Sequence, residues 1–209
     1  MFAPRDPAPR DSAPRVILGI DPGLSRCGYG AIVREGAQAR AVAAGVLRTD
    51  PSAPLPERLA LLQVDLDDLF DSYRPVAVVV ERVLFQVNAR TAISVGQASG
   101  LALAGAARRG IAVTQYSPNE VKLAITGDGA ADKAAVQFMV TRLLRLAAAP
   151  DPPDVADALA LALCHAWRDR VLGAVRATDA TAGAPDTVEP NTRLQARIDA
   201  ALAKQGGRR

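Results

Sequence analysis

Val16-Ile17-Leu18-Gly19-Ile20-Asp21-Pro22-Gly23 is an apolar run that ends in an acid and then in turn chemistry. Five successive apolar or glycine positions read as a strand covered on both faces, and Asp-Pro-Gly closes it. The pattern returns at Val76-Ala77-Val78-Val79-Val80-Glu81, again buried in type and again closed by an acid. Between these runs, residues 28–35 and 40–48 read as two strands near enough in sequence to pair as hairpins. Leu59, Leu62, Leu66 and Leu69 follow at helical spacing, and Asp65, Asp67, Asp68 and Asp71 among them predict an acidic outer face. Beyond Glu81 the chain predicts a helix over 89–108 and a strand over 111–116. Ser117-Pro118-Asn119-Glu120 then forms a capping box with proline in the first helical turn. Val136, Met139, Val140, Leu143 and Leu144 mark another amphipathic helix, and Asp151-Pro152-Pro153-Asp154 opens a last one that runs to about Trp167. The expected class is α/β, a mixed five-stranded sheet flanked by helices.

A chain of 209 residues has room for one such domain with modest tails. The reading is a disordered N-terminal extension over 1–15, a folded domain over 16–173 and a flexible tail over 174–209. With 49% hydrophobic and 22% charged residues, the balance excludes a fibrous or wholly disordered chain. No apolar run is long enough to span a membrane, and the first residues lack the apolar stretch of a secretory signal. Cys27 and Cys164 sit in no metal or redox spacing, so a cytoplasmic location is expected. The net charge is +3, but its distribution says more. Residues 50–74 carry six acids against two bases, whereas 82–149 carry eight bases against three acids. That asymmetry would let one face meet phosphates. Aromatic residues, at 4%, are too few for a base-stacking platform.

Four carboxylates stand out. Asp21 and Glu81 end the two most apolar strands, and in open α/β sheets ligands gather outside the carboxyl ends of strands. Asp154 and Asp157 lie three apart in a helix and share one face, with a rise of about 4.5 Å between them. If that helix packs at the strand ends, four acids converge and repel one another unless cations neutralise them. Mg²⁺ or Mn²⁺ suits such hard oxygens, and two ions about 3.5–4 Å apart can clamp both oxygens of a phosphoryl displacement. Each acid also has a structural reading. Asp21 fits a turn, Glu81 a strand end paired with an arginine, and Asp154 and Asp157 the favourable start of a helix dipole.

Lys122 and Lys133 are the only lysines between 16 and 167, point charges suited to a phosphate or simply solvated. Gly127-Asp128-Gly129 reads as a flexible turn ahead of Lys133. His165 falls about 16 Å along the helix axis from Asp154, too far for a shared ligand set. Gly96, Gly100 and Ala104 form a smooth stripe, open either to packing on the chain's own sheet or to a second copy.

Taken together, GIDPGLSRCGYG (19–30), VVVER (78–82), NARTAISVGQASG (88–100), SPNEVKLAITGDGAADK (117–133) and DVADALALALCHA (154–166) follow one another as in the RuvC family of Holliday-junction resolvases. The chain resembles that family over residues 16–167. The resemblance implies a ribonuclease H-like fold and a homodimer. It implies a crossover junction endodeoxyribonuclease that resolves four-way junction DNA by paired symmetric nicks in homologous recombination and DNA repair. Mg²⁺ or Mn²⁺, two ions per subunit, would be held by catalytic acids that fall on Asp21, Glu81, Asp154 and Asp157. The family's basic residues near the site fall on Lys122 and Lys133, and the branch-migration proteins RuvA and RuvB are implied partners. One position departs from the pattern: three residues after the second acid, where the family commonly has an aromatic that touches junction bases, stands Leu84, followed by Phe85. Either one would make that contact, with Arg82 and Arg90 flanking the loop as phosphate binders. Three rival readings compete with the resolvase. Gly19-Ile20-Asp21-Pro22-Gly23 also resembles the first phosphate loop of sugar-kinase and actin-like ATPases, but no second Asp-x-Gly loop follows. The others are a non-catalytic DNA binder and an RNA–DNA hybrid nuclease on the same fold.

Overall fold

The computed structural model describes residues 15–35, 38–82 and 89–176. Its elements are β1 (Val16–Asp21), β2 (Arg26–Glu35), β3 (Gln38–Arg48), α1 (Leu55–Tyr73), β4 (Ala77–Glu81), α2 (Ala89–Arg108), β5 (Ala112–Tyr116), α3 (Pro118–Thr126), α4 (Lys133–Leu143) and α5 (Pro153–Arg176). The strands form one sheet in the order β3-β2-β1-β4-β5. β1 and β2 pair antiparallel, as do β2 and β3, while β1–β4 and β4–β5 are parallel. The expected mixed five-stranded sheet is the one observed.

Alternate residues of a strand face opposite sides, and both sides here are covered. Leu18, Ile20, Val78 and Val80 point into a core with Leu62, Leu66, Leu69 and Phe70 of α1 and Ala98, Ala102 and Ala106 of α2. Ile17, Ile32 and Val79 point the other way, into a core with α3, α4 and the Ala/Leu face of α5. The period-2 pattern therefore also fixes the direction of the strand-ending acids. Asp21 continues the Ile17, Gly19 row and Glu81 the Ala77, Val79 row, both on the side where α5 lies.

α5 approaches that face unusually closely. A Cβ on Gly19 would stand 2.0 Å from the Ala158 carbonyl oxygen, and one on Gly28 would stand 2.2 Å from that of Asp154. At Gly30 it would meet the Leu159 side chain at 2.7 Å. Three glycines on two strands thus form a flat bed on which the helix backbone rests.

Several readings need correction. Asp65, counted on the acidic outer face of α1, is buried at 5% exposure. Asp67 and Asp71 are not a free acidic surface either, because Arg109, just past α2, reaches both at 2.7 and 2.8 Å. Part of the charge asymmetry along the chain is thus neutralised internally. β2 begins at Arg26, two residues earlier than its apolar pattern suggests, and α5 extends to Arg176, well past Trp167. The extension over 1–14 and the tail from 177 lie outside the described residues. No helix among the described residues is long and apolar enough to cross a membrane.

Gly19→Ala should cost roughly 2–3 kcal/mol, because the intruding methyl meets helix backbone rather than a movable side chain. A thermal melt should show a fall of about 4–12 °C, at roughly 2–4 °C per kcal/mol for a chain of this size.

Candidate active site

The parallel register of β1 and β4 ends at Ile20 opposite Val80, so Asp21 and Glu81 finish neighbouring strands at the same edge of the sheet. On its other side Asp21 pairs with Gly28 of β2. Because Gly28 lacks a side chain, the backbone of Asp154 sits directly over it. Asp154 is thereby held beside Asp21, and Asp157 follows one helical turn on. Both helix acids are partly exposed, at 28% and 29%. The four carboxylates that the sequence singled out converge.

Their electrostatics show the cost. Burial, then the charges of Glu81, Asp157 and Asp154, push the Asp21 carboxyl up to about 7, with Lys133 opposing the rise. Glu81 is also raised, by burial first and then by Asp157. Two cations offset the repulsion. Lys133, largely exposed at the start of α4, donates to Asp157 at 3.0 Å, and its ammonium is raised chiefly by that bond. Arg26, which the sequence reading passed over, donates its Nη2 to Asp154.

The loops that carry these groups are tied down. Thr49 at the end of β3 donates its hydroxyl to the Leu24 carbonyl at 2.6 Å. Arg58 of α1 binds that same hydroxyl at 3.0 Å and the Ser25 hydroxyl at 2.6 Å. The β1–β2 loop between Asp21 and Arg26 is therefore pinned from two elements. Ahead of Lys133, the turn read as flexible is instead closely bonded. Gly127 adopts φ 81°, the Asp128 carboxylate accepts from Ala130 N, and Asp132 caps α4 by accepting from Ala135 N.

The other expected residues are placed as follows. The Ser117–Glu120 capping box is present, and Glu120 also binds Arg168 of α5 at 3.0 Å. Together these bonds draw the Glu120 carboxyl down to about 2, the bond from the Ser117 backbone first among them. Lys122 therefore sits on an anchored helix, α3. Arg82 continues the β4–β5 ladder through its backbone, and its exposed side chain donates to the Gln115 carbonyl at 3.2 Å. His165 meets the Tyr116 hydroxyl at 3.1 Å, away from the acids as its spacing suggested. Leu84 and Phe85 lie outside the described residues, as does the side chain of Arg90.

The donor set fits a hard divalent cation. Among the described residues no three His, Cys, Asp or Glu side chains form a ready-made cage for one ion. A strongly hydrated ion does not ask for one: it takes one or two carboxylates and keeps waters for a substrate phosphate to replace. Four mutually repelling carboxylates, two already leaning on internal cations, provide those oxygens.

Comparison with known proteins gives a consistent picture. The family model for crossover junction endodeoxyribonuclease RuvC matches residues 17–165. The chain is similar to the crossover junction endodeoxyribonuclease RuvC of Frankia casuarinae, 51% identical over 161 residues that cover 77% of this chain and 94% of the relative. It is 45% identical to that of Rhodococcus opacus over 196 residues, covering 92% and 99%. Among solved structures, Thermus thermophilus RuvC in complex with Holliday junction substrate superposes with a TM-score of 0.72 at 39% identity, covering 75% of this chain and 96% of that one.

A self-repelling acid cluster should weaken the fold when no cation fills it. In a chelator at pH 8, where Asp21 is largely charged, Asp21→Asn should melt a few degrees above the wild type, at roughly 2–4 °C per kcal/mol of relieved repulsion. Millimolar Mg²⁺ or Mn²⁺ should then stabilise the wild type more than the variant. A variant that melts lower in chelator would show the cluster is not under electrostatic strain.

Proposed function

Because this chain belongs to the RuvC family of crossover junction endodeoxyribonucleases, it is a metal-dependent nuclease that resolves Holliday junctions, and we propose that Asp21, Glu81, Asp154 and Asp157 carry the cleavage. The observation that supports this assignment is the convergence of the four carboxylates at one end of the sheet, with Asp21 pushed up to about 7 by burial and by the other three. The proposed cofactor is Mg²⁺ or Mn²⁺, two ions per subunit. When bound, such ions activate water and stabilise the charge that builds on the leaving 3′ oxygen. The chain's own residues orient the rest. Asp21 and Glu81 are fixed by the ladder, Asp154 and Asp157 by the glycine bed. Lys133, the cation bonded to Asp157, would balance charge at the scissile phosphate. Lys122, Arg82 and Arg90 would hold the strand further out, and Leu84 or Phe85 would meet junction bases.

Two scissile phosphates related by the symmetry of a four-way junction require two sets of acids, and one chain carries one set. The proposed assembly is a two-fold homodimer with one self-complementary patch on each copy. The stripe of Gly96, Gly100 and Ala104 favours α2 as that patch. Ala98, Ala102 and Ala106 bury the opposite side of the helix, and neither Gly96 nor Gly100 has anything within 4 Å of where a Cβ would be. Ile93, on the same outer side, is 63% exposed. RuvA and RuvB are the proposed partners in branch migration.

The direct test is cleavage of a synthetic four-way junction beside duplex and RNA–DNA hybrid controls, with and without Mg²⁺ or Mn²⁺. Asp21→Asn, Glu81→Gln, Asp154→Asn and Asp157→Asn should each slow cleavage at least about a hundredfold, roughly 2.7 kcal/mol of barrier, while junction binding persists. Lys133→Ala should slow it by roughly tenfold or more, since it removes charge stabilisation but no ligand. Wild-type rates in any variant would remove that residue from the site.

Gly100→Phe should yield a folded monomer in sedimentation that cuts poorly. A dimer that survives the substitution, or a monomer that makes paired cuts normally, would place the interface elsewhere.

A further inference from the structure

Lys133 is accounted for by the site, but the other cation touching the acids is not. Arg26 opens β2 and shares a strand face with Gly28 and Gly30, the face on which α5 rests. Since Asp21 pairs with Gly28, Arg26 lies one strand period beyond the end of β1, at the margin of the acid cluster. Its guanidinium donates to Asp154, yet the side chain is 44% exposed. The register sets Arg48 of β3 directly opposite it, on the same face. Like charges directly opposite in a ladder are unfavourable unless an anion covers them. Arg48 makes no ion pair among the described residues and lines a groove of about 450 Å³ that runs past Asp151 and Pro152 at the start of α5.

Asp154 is thus the anion that holds Arg26, and it is also one of the acids proposed to take a divalent ion. It cannot fully serve both. With a divalent ion bound, Asp154 would be drawn from Arg26 and a repelling charge would stand beside the guanidinium. Two arginines opposite each other in the ladder would then be left without a carboxylate partner at the β2–β3 edge of the site. Guanidinium matches phosphate oxygens in geometry and charge.

We infer that Arg26 is a metal-coupled phosphate ligand: it latches Asp154 in the free chain and, once a divalent ion takes that carboxylate, joins Arg48 in binding a backbone phosphate of the DNA strand at the β2–β3 edge. The inference rests on the nuclease reading above and adds a contact outside the acids and lysines. It makes junction binding through Arg26 conditional on metal.

The test uses the full chain and its Arg26→Ala and Arg26→Lys variants. Without DNA, calorimetric titration with Mn²⁺ should show Arg26→Ala binding the ion roughly two- to fivefold more tightly, the scale of an exposed ion pair no longer competing. With a labelled four-way junction, anisotropy should show Arg26→Ala losing about five- to tenfold in affinity in Ca²⁺, which takes carboxylate oxygens, with a salt slope lower by about one. In EDTA the loss should be under about twofold, and Arg26→Lys should recover most of the Ca²⁺ affinity. Equal losses in Ca²⁺ and EDTA, or none in Ca²⁺, would overturn the coupling. Weaker Mn²⁺ binding by Arg26→Ala would overturn the latch and leave Arg26 a positioning residue for Asp154. A wild-type chain that binds no junction would strike the nuclease reading instead, and the Mn²⁺ titration would still decide the latch.

Discussion

The near-contact of α5 with the glycines of β1 and β2 sets the rest of this structure. Gly19, Gly28 and Gly30 let a helix backbone lie where a strand's side chains would ordinarily hold it off. Helix–sheet packing elsewhere in the chain uses ordinary apolar side chains, as α1 does with Leu62, Leu66 and Phe70. Only at α5 does the functional end of a helix have to reach the strand ends. A methyl group at Gly28 would displace Asp154 itself, so packing and chemistry are the same constraint at that position.

The same closeness creates an electrostatic problem. Burial at the sheet edge, and then the neighbouring carboxylates, raise Asp21 to about 7. The fold offsets this without giving up the acids: Lys133 leans on Asp157, and Arg26 leans on Asp154. Both cations come from rigid positions, one the first residue of a capped helix and the other the first residue of a strand whose preceding loop is pinned by Thr49 and Arg58. Partial neutralisation of this kind keeps the site ionised enough to attract divalent cations while limiting the loss of stability, a common compromise where function needs strained charge.

Much of this was legible in the sequence because the relevant signals are local. Strand periodicity carried Asp21 and Glu81 to the same edge, a three-residue spacing put Asp154 and Asp157 on one helix face, and the Ser117 capping box reads directly from four letters. What was not legible depends on register between distant segments. Arg26 looks like a loop residue until β2 is seen to begin there and to carry it under α5. Its alternation with Gly28, Gly30 and Ile32 was the available signal, since a basic residue in line with two glycines on one strand face is placed for whatever packs on them. Asp65 looks solvated only because it is an acid; its spacing, three after Leu62 and four before Leu69, puts it on the apolar face of α1, where it is buried. The charge runs misled in the same way: Arg109 is far from Asp67 and Asp71 in sequence but bonded to both.

Topology also bears on how two copies would present their acids. β4 ends at Glu81, and α2 begins at Ala89, so the first turns of α2 lie near the same end of the sheet as the four carboxylates. The exposed side of those turns, Ile93 with Gly96, therefore lies toward that end of the sheet but on the opposite layer from α5. A contact through that part of α2 would keep each α5, on the other layer, clear of the interface. An axis through the C-terminal turns of α2 would have to pass the Arg108–Arg109 cluster already committed to α1. Charge pairing at the last turn of α2 would thus leave the outer surface from Ile93 to Gly100 as the part of the helix open to a second copy.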